Sequence, residues 1–180
     1  MLLTISEIFS LLILTLTLGY IFTGYIKRDP YQIGFSWKDL QFAAIIAAPA
    51  VILHELGHKF IAILLGHTAT FFIYWWGLGL AVILKLLSSP LLILAPAYVS
   101  IPTGIPPLHG FLIAFAGPGT NLLLFLISFL VLKYKKNLKI NAIIGWTISQ
   151  KLNLFLFIFN IIPIPPLDGY HLFSNLIQLF

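Results

Sequence analysis

Five consecutive residues of this 180-residue chain have the types and spacing for metal chemistry: His54-Glu55-Leu56-Gly57-His58. Histidines at i and i+4 face the same side of a helix, one turn apart. Two imidazoles so placed suit a single zinc ion, and the glutamate between them is free to act as a general base. The motif stands inside an almost wholly apolar run, Phe42 to Leu65, rather than at a solvated end. Burying three such side chains in a segment of membrane length is costly, which points to a functional reason for them. The competing arrangement is a pair of histidines hydrogen-bonded in a helical core, with Glu55 neutralised by Lys59 at i+4.

A catalytic zinc needs a third protein ligand and an open position for water. The chain has no cysteine, so that ligand must be His, Asp, Glu or Asn. Asp168 is the best candidate. It follows Pro163, Pro165 and Pro166 in an apolar region, where a carboxylate is hard to keep charged without a cation beside it. Leu-Asp-Gly after Pro-Pro is equally good turn chemistry, and the pairing with HELGH favours the ligand. His67 and His109 lie in loops and are weaker candidates, readable as plain polar residues. His171, three residues after Asp168, could approach the metal or support its ligands. Asn121 and Asn160 are intramembrane amides that could bind a substrate backbone or, alternatively, hydrogen-bond between helices.

The elements that must position these groups are membrane elements. Hydrophobic residues make up 60% of the chain and charged residues 8%, against about 25% charged in a soluble domain. Mean hydropathy is +1.04. So few charges cannot cover a water-soluble surface, and the chain reads as an integral, multi-pass membrane protein of one domain. The formal net charge of +5 belongs to Lys and Arg flanking apolar runs, not to a nucleic-acid footprint. The amino terminus has no basic n-region and no A-x-A site, so a retained first helix is expected.

Four spans are expected: Leu3 to Ile26, closed by Lys27, Arg28, Asp29 and Pro30; Phe42 to Leu65, which carries HELGH; Gly110 to Leu132; and Ile140 to Ile162. Pro49 should bend the second span, Gly66 should cap it, and Lys59 should snorkel or face an aqueous cavity. Thr68 to Tyr74 is β-branched and aromatic, which predicts a short strand. Gly77 to Leu94, broken by Lys85, Ser88, Ser89 and Pro90, reads as a re-entrant or sheet-like insertion. Ala97 to Pro107 reads as a loop or strand. Tyr170 to Phe180 is too short to cross alone and could finish the broken fourth span. Trp37 and the group Phe71, Phe72, Tyr74, Trp75 and Trp76 suit the membrane interface. The fold class is therefore all-α, with about four transmembrane helices and a short β or re-entrant insertion after the HELGH helix.

Three motifs in order, HELGH (54–58), FAGPGTN (115–121) and NIIPIPPLDG (160–169), resemble the site-2 protease family of intramembrane zinc metalloproteases, the M50 class. The resemblance covers about residues 42 to 172, which makes 42–180 a protease core and 3–26 an accessory helix. It implies one zinc per chain held by His54, His58 and Asp168, with Glu55 as catalytic base. It also implies substrate or oxyanion roles for Asn121 and Asn160, and a transmembrane protein as substrate in a cell membrane. These 180 residues contain no PDZ or CBS module. Orientation is contested: the positive-inside rule puts 27–39 and the lysines of 133–139 in the cytoplasm, and the resemblance implies the reverse.

Two other classes fit parts of the pattern. A catalytically silent metal- or substrate-binding protein on the same scaffold would not need Glu55. A metal ion transporter would need paired sites or repeated halves, and the chain shows one site and no repeat. Oligomeric state is not legible.

Overall fold

Thr4 and Glu7 start the first helix reciprocally. The Thr4 hydroxyl accepts from Glu7 N–H and the Glu7 carboxylate accepts from Thr4 N–H, a capping box that satisfies two donors left unpaired by the helix end. The apolar run behind it forms α1, Ile5–Phe22. Ser36 caps α2, Trp37–Leu64, by accepting from Asp39 N–H. The rest of the chain is β1 (Thr70–Ile73), α3 (Trp75–Leu86), β2 (Ala97–Ser100), α4 (Pro107–Tyr134), α5 (Ile140–Ile161) and α6 (Asp168–Ile177). This computed structural model describes residues 3–23, 25–26, 34–89 and 96–180. Lys27, Arg28, Asp29 and Pro30, expected to close the first span, and Pro90 lie outside the described residues.

Among the described residues, four helices are long and apolar enough to cross a membrane: α1, α2, α4 and α5. They are the four spans read from the sequence, with boundaries moved by a few residues. The second begins at Trp37 rather than Phe42, because Ser36 supplies a cap before the apolar run starts. Pro49 and Pro118 both sit inside continuous helices. Gly66 follows the end of α2 at φ +83°, the left-handed conformation that a glycine adopts without a Cβ penalty.

With four spans in alternation, Lys38 and the lysines of 133–139 share one face of the bundle. Both strands and α6 share the other. The HELGH helix is the centre, with half of its most apolar window buried, and α1, α4, α5 and the strands pack around it. Gly19 lets α1 close on α2: a Cβ there would stand 2.8 Å from Ala44 Cβ and 3.1 Å from Leu40 O. Outward faces carry Phe9, Ile45, Leu64 and Ile158 exposed, the surface expected against lipid chains rather than water.

The insertion is sheet-like at its ends and helical between them. β1 and β2 pair antiparallel, Phe71 opposite Val99 and Ile73 opposite Ala97. This confirms the expected strand near 68–74 and resolves 97–107 into a strand and a loop. Of the stretch Gly77 to Leu94, expected to be re-entrant or sheet-like, residues 77–86 belong to the helix α3 instead, and 90–94 lie outside the described residues. The reason is position: Lys85 falls in its last turn, where it suits the helix dipole, and Ser88 and Ser89 fall after its end. Lys85 also lies over the Tyr25 ring, 5.6 Å from its centroid.

Two further expectations are corrected. Phe71 does not join an interfacial belt; it is 1% exposed and part of the core cluster with Leu14, Leu18 and Val51. Trp37, Trp75 and Trp76 are exposed as expected. Lys59 neither snorkels nor faces a cavity. It is 3% exposed and its ammonium is ion-paired to Glu7, itself 1% exposed. A charge in an apolar bundle persists only with a partner, and α1 brings one.

Candidate metal centre

At about 1.5 Å per residue, His58 and His54 lie about 9 and 15 Å before the end of α2 at Leu64, within a helix long and apolar enough to cross a membrane. Each imidazole is held from behind. His54 Nδ1 is 2.6 Å from Asn121 Oδ1, and His58 Nδ1 is 2.7 Å from Ile113 O. The Asn121 orientation follows from its other end, whose Nδ2 donates to Ala50 O at 2.8 Å and to Asn153 Oδ1 at 2.9 Å. Its oxygen must therefore face His54. Both acceptors are proton-free, so both Nδ1 atoms carry the proton, and in the neutral imidazoles both Nε2 atoms present lone pairs.

Those lone pairs meet a carboxylate. Asp168 opens α6, and its Oδ2 is 3.0 Å from His54 Nε2 and 3.3 Å from His58 Nε2. The two Nε2 atoms are 3.2 Å apart. With both imidazoles neutral and protonated on Nδ1, none of these contacts is a hydrogen bond, and Asp168 Oδ2 is buried with no hydrogen-bond partner. Three acceptors converging without a proton between them are mutually repulsive unless a cation joins them. Ligand atoms about 2.0–2.1 Å from a tetrahedral zinc stand about 3.3 Å apart, which is the spacing seen. Among the described residues this is the one such group that could hold a metal ion.

Tight approach of α4 makes the arrangement possible. A Cβ on Gly117 would run into His58 Nε2 and stand 2.7 Å from His54 Nε2. One turn of α2 along, a Cβ on Gly57 would stand 2.9 Å from Ala116 O. The glycines of HELGH and FAGPGTN are thus two sides of one helix contact. Pro118 removes the donor that would reach Ala114 O, and the neighbouring carbonyl, Ile113 O, takes the proton of His58. At the other end, a Cβ on Gly169 would press on the carbonyls of Ile161 and Ile162, so α6 folds back against the end of α5 and carries Asp168 inward.

The group forms part of the wall of a cavity of about 730 Å³, also lined by Glu55, Asn160, His171, Tyr98 and Val99. Glu55 is 9% exposed, so it reaches the cavity from a mostly buried position. Asn160 lines the same cavity while donating to Leu156 O at 3.0 Å. Asn121, read as a possible substrate group, is placed elsewhere. It is fully buried, outside the cavity, and engaged with His54, Ala50 and Asn153. Asn153, seven residues before Asn160 on α5, extends that network to Ser149 O at 2.8 Å. Its signal was an amide in a membrane span. His67 and His109 pair with each other, Nε2 to Nδ1 at 2.8 Å, apart from the metal group. Asn121→Leu should leave His58 anchored and lower metal affinity about 10–100-fold, as loss of a ligand's supporting hydrogen bond does. Chelator competition reads this, and unchanged affinity would refute the supporting role.

The comparison with known proteins meets this geometry. The protein named "Putative zinc metalloprotease MJ0611", from Methanocaldococcus jannaschii, is 34% identical over 159 residues, which cover 87% of this chain and 80% of that protein. The chain belongs to its family, the zinc metalloproteases. "Putative zinc metalloprotease YwhC", from Bacillus subtilis, is 40% identical over 80 residues, covering 40% of this chain. That match spans 36% of the length of YwhC. Both are consistent with the site-2 protease resemblance of the three motifs. No family model matches the chain, and no solved structure matches it. For a zinc metalloprotease the donor set is apt: two neutral imidazoles and one carboxylate leave a fourth position open.

Proposed function

We propose that this chain is a site-2-type intramembrane metalloprotease, multi-pass in a cell membrane, that hydrolyses peptide bonds within or near transmembrane segments of membrane proteins. The observation that carries the proposal is the convergence of three ligand atoms on a cavity that Glu55 also lines, two of them borne by a helix long and apolar enough to cross a membrane. His54, His58 and Asp168 would hold one zinc ion. Zinc bound there supplies Lewis acidity, lowering the pKa of water and polarising a carbonyl.

The chain's own residues do the rest. The Glu55 carboxylate takes a proton from the attacking water and returns it to the leaving amine nitrogen. Asn160, at the cavity wall, offers its amide to the developing oxyanion. Asn121 and Ile113 O hold both imidazoles in the Nδ1-protonated form. A transmembrane helix hides its carbonyls in internal hydrogen bonds, so the substrate has to be extended before it can react. An edge strand extends a peptide by pairing with it. Of the two strands β2 is the better placed for this, since Ala97, Tyr98 and Val99 line the cavity and no β1 residue does.

Glu55→Gln in the membrane-reconstituted protein should retain one zinc per chain and lose cleavage of a co-reconstituted single-span substrate. The loss should be about a hundredfold or more, the usual worth of a general base. Persistent cleavage would refute the mechanism.

A further inference from the structure

The buried carboxylate of Glu7 has no part in the chemistry above, yet it joins three elements. Oε1 receives the Lys59 ammonium from α2 and the Phe71 N–H from β1, the latter at 2.7 Å. Oε2 receives Thr4 N–H at 2.8 Å and the Thr4 hydroxyl at 3.1 Å. Lys59 is the residue after His58. Phe71 is paired with Val99 of β2, and Val99 lines the cavity. One carboxylate therefore stands between the metal-ligand helix and the strand next to the site.

The direction of the Phe71 N–H matters. Alternate amides of a strand point to opposite edges, and this one points away from β2, toward α1. Glu7 thus occupies the outer edge of β1. In the two-stranded sheet β1 lies on one side of β2, so the edge left for a third strand is that of β2, on the cavity side. Building on the protease reading, we propose that Glu7 is a positioning residue. By holding Phe71 N–H and Lys59 together, it sets the height of the β1–β2 pair over the metal ligands and directs an extended substrate to the β2 edge.

The test separates this role from simple charge pairing by two double variants without buried charge. Glu7→Leu with Lys59→Met removes the acceptor for Phe71 N–H; Glu7→Gln with Lys59→Met keeps an acceptor oxygen. Both should retain one zinc per chain. With a single-span model substrate whose helix is interrupted by Gly-Pro, the Leu/Met protein should show KM raised about tenfold or more with kcat within about twofold. The Gln/Met protein should restore KM. Hydrogen exchange of amides 70–73 and 97–100 should quicken at least about tenfold in the Leu/Met protein alone.

Equal KM and equal exchange in both proteins would overturn the proposal, as would parallel loss of kcat and zinc. If the wild-type chain cleaves nothing while binding zinc, the protease reading fails. The exchange comparison then decides by itself whether Glu7 fixes the strands.

Discussion

Gly117→Ala should lower zinc affinity about a hundredfold or more while leaving α4 helical. Two effects oppose each other at this position. In a helix interior, Gly→Ala gains about 0.5–1 kcal/mol from lost backbone freedom. Against that, the added Cβ would collide with His58 Nε2 and stand 2.6 Å from His58 Cε1 and 2.7 Å from His54 Nε2. It would occupy the space where the ligand lone pairs converge. Neither imidazole can retreat without breaking its bond to Asn121 or Ile113 O. We expect zinc affinity to fall about a hundredfold or more, beyond the loss of one supporting hydrogen bond. Thermal stability of the metal-free protein should fall little by comparison. Metal content after dialysis, beside an unfolding curve, measures both. A Gly117→Ala protein that keeps one zinc per chain at native affinity would show that α4 does not shape the centre.

The second large effect concerns stability. Lys59→Met leaves the Glu7 carboxylate buried without its cation, and breaking a buried pair from one side costs about 3–5 kcal/mol. Neutralising the other side as well, with Glu7→Gln, should recover most of that loss, since replacing a whole buried pair is often close to neutral. The two single variants and the double variant form a cycle whose coupling energy measures the pair. Equal denaturation midpoints for Lys59→Met and the wild type would mean that lipid or water solvates Glu7 without help. The same result would remove the physical basis for reading Lys59 as buried.

The comparison of expectation and structure divides along the range of the interactions. The four spans were legible because membrane length and apolarity are properties of consecutive residues. So was the shared face of His54 and His58, which follows from helical spacing alone, and so was the β1 strand, from β-branched and aromatic composition. Asp168 was legible for a different reason: a carboxylate in an apolar region needs a cation, and HELGH was the place for one. α3 was misread because its breakers were counted as internal, when they fall at or after its last turn.

What was not legible depended on partners far along the chain. Three amides, Asn121, Asn153 and Asn160, looked alike as polar groups in spans. Packing made Asn121 a support for His54, made Asn153 its neighbour, and left Asn160 at the cavity. Lys59 looked like a snorkelling cation until α1 brought Glu7 to it across 52 positions of sequence. Phe71 looked interfacial until the fold enclosed it. By itself the sequence determined the spans, the turn of α2 that carries both histidines and the carboxylate that could join them, because each is set by local spacing or by the cost of an unpaired charge. Only the tertiary structure decided which amide holds which imidazole, which strand edge faces the site, and where the lone glutamate of the first span is engaged. Those are choices among partners of the same type, and they are made by which helices pack closely enough to meet.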